Sequence, residues 1–109
     1  MQDFVETEQE DRKNWLQATN IKGNYKFERL EFPLNKHNKP YNRIVFIGTI
    51  GGYSNFPDRT GEILINQYNI ANFNEFKDHL KSQNMAKGTE FKAVPENDLI
   101  RLIPIEVVS

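Results

Sequence analysis

Residues Ile44 to Ile50, preceded by Arg43, are apolar and β-branched on both faces of an extended chain. An amphipathic helix would bury only a stripe of such a run, and an edge strand would leave half of it in water. A strand covered on both sides accommodates all of it. At seven residues it is far short of the ~20 needed to span a bilayer as a helix. Gly48 inside it predicts a sharp bend or a close backbone approach, and Gly51-Gly52 ends it. Whatever else the chain does, it builds a sheet around this segment.

The flanking sequence supplies the rest of that sheet. From Gly23 the apolar period is two: Tyr25 and Phe27 alternate with charges, and then Leu30 and Phe32 take the opposite phase. A phase change within one strand predicts a β-bulge, or a strand that passes its inward face from one sheet to another. Pro33 closes the run. Glu62 to Tyr68, Thr89 to Pro95 and Leu99 to Val108 read as three further strands, with Pro104 placing the last at an edge or a bulge.

Phe73, Phe76 and Leu80 recur at helical spacing behind Asn72, with Glu75 three residues on. They predict one helix capped by Asn72, with Gly88 as the glycine that ends it. Phe27, Phe32, Phe46 and Phe91 are expected in the core.

Residues 1–22 lack this period. Thr7 and Glu10 have capping-box spacing, so a short helix from about Glu8 to Ala18, or a partly ordered tail, precedes a single β-domain over 23–109. The chain has 109 residues, which is one domain's length. The acidic start has no signal-peptide pattern, and no lipidation motif appears, so a cytoplasmic protein is expected. With no cysteine, the chain has no disulfide framework, thiolate metal site or cysteine nucleophile. Its many asparagines suggest an AT-rich coding sequence, as in a bacterial, phage or plasmid accessory protein.

Strand, strand, strand, helix, strand, strand resembles the element order of OB-fold single-stranded nucleic-acid-binding proteins. Asn42 to Ile50 is similar to the opening strand of bacterial single-stranded-DNA-binding proteins, and Phe76 to Phe91 to their helix-to-fourth-strand junction. In that family the Asn-Arg-apolar stretch opens the barrel, whereas here the strand Tyr25 to Phe32 precedes it. The resemblance implies a five-stranded barrel with its helix between the third and fourth strands. A sandwich or split sheet has the same element order.

No motif supports an enzyme. His37 and His79 lack partners in the sequence and read as surface residues, the latter on the polar side of the helix. No metal, phosphate-cradle or dinucleotide motif occurs, so neither metal nor cofactor is expected. A binding protein is the better reading, although the net charge of −1 means that any cationic surface must be local.

Lys36 to Arg43 holds three cations, a histidine and a tyrosine with no acid. It falls in the loop between the first two strands, where barrels of this kind take ligand. Single-strand binding needs bases stacked on rings with cations beside the phosphates. The candidate contacts are Lys26, Arg29, Lys36, Lys39, Tyr41, Arg43, Tyr53, Phe56 and Arg59, with Tyr25 and Phe27 as possible strand-face platforms. The expected ligand is single-stranded DNA, with RNA open, bound by a monomer or homodimer. The alternative is a protein-interaction or inhibitor module that engages a host factor through Trp15.

Overall fold

A computed structural model describes residues 14–52 and 57–106. Its centre is β3 (Arg43–Ile50), flanked by β2 (Ile21–Glu31) and β4 (Arg59–Asn66), with β5 (Glu90–Glu96) and β6 (Leu99–Pro104) beyond β2. A two-residue strand, β1 (Asn14–Trp15), lies parallel to β4, and the other pairings are antiparallel. The order across the sheet is β1-β4-β3-β2-β5-β6. Among the described residues one α-helix, α1 (Phe73–Ser82), follows β4 after a 3₁₀ turn, Gln67–Asn69.

Register assigns each face. Phe27, Phe46 and Ile63 align across three strands, as do Leu30, Ile44 and Ile65, and these point inward. They meet Phe91, Ala93, Ile100 and Leu102 from β5 and β6, and Phe76 and Leu80 from α1. The Phe46 ring is the hub, edge-on to Tyr25, Phe76 and Phe91.

The change of phase in β2 is located at Glu28: Phe27 faces Phe46 and Arg29 faces Val45, which leaves one extra residue between them. A second irregularity places Gly23, Asn24 and Tyr25 opposite Gly48 alone. There the Tyr25 ring lies across Gly48, and a Cβ on Gly48 would come within 2.5 Å of it. The Tyr25 hydroxyl accepts from the Lys22 amide at 2.8 Å and donates to the Thr49 carbonyl at 2.6 Å. Burial raises its pKa above the ordinary phenol value.

The sheet is mainly antiparallel, and among the described residues no continuous ladder closes it into a barrel. Its two halves meet along a seam where Ile70, just past β4, bridges Ile100 of β6 in parallel, with the Ala71 amide donating to the Ile100 carbonyl at 2.8 Å. The next step of this seam is made by a side chain. Asn72, 8% exposed, donates through Nδ2 to the Leu102 carbonyl at 2.7 Å and accepts from the Leu102 amide at 2.9 Å. Its amide thus stands where a neighbouring strand's peptide group would.

Several expectations are corrected. Asn72 does not cap α1 through its side chain, because that amide is committed to β6. The helix ends at Ser82, and the left-handed residue that turns the chain out of it is Asn84 and not Gly88. Asn84 takes the left-handed conformation at φ 58°, with Met85 N–H donating to Leu80 and Asn84 N–H to Lys81, which is a Schellman motif. Gly88 instead turns the chain into β5, its amide donating to Phe27.

Asn14–Trp15 is strand, so the expected helix does not reach Ala18; its remainder lies outside the described residues. The sheet therefore has six strands, and the helix falls between the fourth and fifth. Phe32 is 62% exposed, one residue beyond the end of β2 and clear of the core. His79 is not on a purely polar face, because its ring packs edge-on against Phe91 at 5.5 Å.

Candidate functional site

The loop between β2 and β3 is built from its own hydrogen bonds. Leu34 bridges Pro40, and the Tyr41 amide donates to the Pro33 carbonyl at 3.0 Å. Asn35 Oδ1 accepts from the His37 and Lys39 amides at 2.8 and 3.0 Å. Asn38 at φ 61° takes the left-handed corner, which asparagine tolerates. The result is a tied hairpin carrying Lys36, His37 and Lys39 at its tip, all three exposed.

At the base of the hairpin Tyr41 meets Tyr68 from the 3₁₀ turn, ring centroids 5.6 Å apart and planes inclined by 37°. The Asn42 amide and its Nδ2 both donate to Gln67 Oε1, at 2.7 and 3.0 Å, fixing the turn against the hairpin. Tyr68 remains 62% exposed, as do Phe32 at 62% and Leu34 at 61%. Two exposed rings and an exposed leucine thus sit on one braced hairpin and the turn fixed against it. Of the sequence candidates, Lys36, Lys39 and Tyr41 lie together on this hairpin, and Tyr68, which the sequence pattern places at the end of a strand, joins them. The signal available was Gln67-Tyr68-Asn69, a polar stretch on either side of a ring that breaks the strand alternation.

The remaining described candidates form no single channel with this hairpin. Arg29 is held by Glu62 at 2.7 and 3.1 Å and by Glu31 at 3.0 and 3.2 Å. The Glu62 and Glu31 carboxylates raise its pKa further still, and Glu62 is lowered in turn. Arg43, whose side chain is 12% exposed, lies 3.6 Å from Glu31 and stacks over the Trp15 ring at 5.3 Å. Its Nε is buried with no hydrogen-bond partner among the described residues. Both guanidinium groups are therefore spent on neighbours within the sheet face.

Arg59 stands at the far end of β4, opposite Ile50, seven residues and roughly 23 Å along the sheet from Asn66. Its contact is Asn14 Oδ1 at 3.4 Å. Lys26 projects from mid-sheet in line with Ile47 and Glu62. Tyr25 and Phe27 are buried, so they are core and not platforms. Tyr53 and Phe56 lie outside the described residues. Trp15 is half-buried on the outer face beside Leu64 and under Arg43, so it is no free anchor.

Among the described residues no group of histidine or carboxylate side chains is arranged to hold a metal ion, and no helix is long and apolar enough to cross a membrane. Comparison with protein-family models, with curated proteins and with solved structures finds no match to this chain.

Proposed function

We propose that this protein binds single-stranded nucleic acid, DNA in the first instance, through the 33–41 hairpin and the adjoining 3₁₀ turn, on a curled sheet of the OB type. The observation that carries the reading is the exposed Tyr68 ring, tilted against Tyr41 at the base of a braced hairpin whose Lys36 and Lys39 make no ion pair among the described residues. A ring face accepts any base, and free ammonium groups attract the phosphates whatever the sequence. The partly open, curled architecture with a helix between its halves supports the OB relationship, as does the position of the hairpin between the first two long strands.

The test is fluorescence anisotropy with labelled oligo-dT at low salt. Wild type binds at micromolar to tens of micromolar concentration, and Tyr68→Ala weakens it by about 1–3 kcal/mol, the usual contribution of one stacked base. No anisotropy change at tens of micromolar protein ends the reading.

A second reading, docking of a protein partner, is favoured by one specific observation. Phe32 and Leu34 are apolar and more than 60% exposed on the same hairpin, and nucleic acid has no need of Leu34. On that reading the anchor is the hairpin and not Trp15.

A further inference from the structure

Resting on the nucleic-acid reading, we infer that the ligand is a short unpaired stretch, about two or three nucleotides, and not a long strand threaded across the sheet. The argument is one of charge placement. A continuous track from the hairpin to the β3–β4 end would have to run over the outer face, past Arg43, Arg29 and Lys26 to Arg59. Along that path Glu31 and Glu62 neutralise the two central arginines and leave their own carboxylates facing the route. Lys26 is in register with Glu90 of β5, so this mid-sheet lysine also has an acid as its cross-strand neighbour. A phosphate entering there would have to displace Glu62 from an existing bidentate pair, and among the described residues no second cation hydrogen-bonds the released carboxylate.

Among the described residues the hairpin end has no such opposition. Lys36 and Lys39 are exposed and make no ion pair with any described residue, and Asn35, not a carboxylate, organises the tip. From Lys39 to Tyr41 is two extended residues, about 7 Å, so rings and cations share one compact patch. Two phosphates' worth of charge and one accessible ring pair define a site for a loop, an overhang or a strand end.

The test measures the salt dependence of binding as a function of ligand length, at one fixed pH. Each phosphate neutralised on a single strand adds about −0.7 to the slope of log affinity against log salt. The inference expects a slope near −1.4 for dT4 that stays the same for dT20, is abolished by Lys36→Gln with Lys39→Gln, and is unmoved by Arg59→Gln. A slope that steepens with length toward about −4, or that falls in Arg59→Gln, overturns the short site while leaving nucleic-acid binding intact. Absence of binding to both oligonucleotides at low salt overturns the underlying reading and this inference with it.

Discussion

Replacing Asn72 with alanine tests how the sheet is held together. The asparagine amide makes two buried hydrogen bonds to one residue of β6, at 2.7 and 2.9 Å. Truncation removes both and leaves the Leu102 N–H and C=O facing an apolar hole. A hydrogen bond contributes about 1 kcal/mol net, but an abandoned buried backbone group costs about 1–3 kcal/mol. Two such groups, one partly rehydrated through the vacated space, put the loss at about 3 kcal/mol. A domain of this size has roughly 5–15 kcal/mol in total, so the loss is a large fraction of it.

In urea, with a slope of about 2 kcal/mol per molar, the unfolding midpoint should fall by about 1.5 M. Amide exchange at Leu102 should accelerate beyond the change expected from global stability alone. Asn72→Asp keeps an acceptor for the Leu102 amide but sets a carboxylate against the Leu102 carbonyl, so it should be no better than alanine. Asn74→Ala, exposed on α1, is the control and should stay within about 0.5 kcal/mol. If Asn72→Ala unfolds within about 0.5 kcal/mol of wild type and the Leu102 amide stays protected, the side-chain seam is not what joins these edges.

Gly48→Ala should destabilise by about 1–3 kcal/mol in the same assay, because its Cβ would lie 2.5 Å from the Tyr25 ring, which is itself tied at the hydroxyl. A neutral result would mean that Tyr25 moves freely. Asn84→Val should cost about 1–2 kcal/mol, since a β-branched residue resists φ 58°, whereas Asn84→Gly should not destabilise. Equal effects of the two would refute the left-handed cap. The carboxyl of Glu62 is held below its ordinary range by Arg29, so the stabilisation it brings is present above the free-carboxyl pKa and is lost as pH falls through the folded value. The gap in unfolding midpoint between wild type and Glu62→Gln should therefore narrow from pH 6 to pH 3. A gap independent of pH would count against the pairing.

What could be read in the chain beforehand was whatever depends on near neighbours. The double-faced run 44–50 marked the central strand, and the switch from Tyr25 and Phe27 to Leu30 located the irregularity now seen at Glu28, because side-chain period is a local property. The helix start was legible from Phe73, Phe76 and Leu80, but its end was not. Asparagine also takes the left-handed conformation, and glycine four residues on is the louder signal.

The role of Asn72 was misread because capping and seam-building use the same amide, and only the position of Leu102, 30 residues away, decides between them. The basic hairpin was visible as a cluster of residue types. The fate of Arg29 and Arg43 was not, because Glu62 comes from another strand and no sequence spacing brings it to Arg29. Trp15 looked like a helix anchor until β4 offered it an edge.

The seam between the two halves of the sheet rests on one backbone rung, from Ala71 to Ile100, and on one carboxamide, that of Asn72. A ladder of peptide bonds resists change at every rung, whereas a clasp made by one side chain can be unfastened alone. Substitutions at position 72 therefore offer a handle on the girth of the sheet that leaves every β-ladder in place.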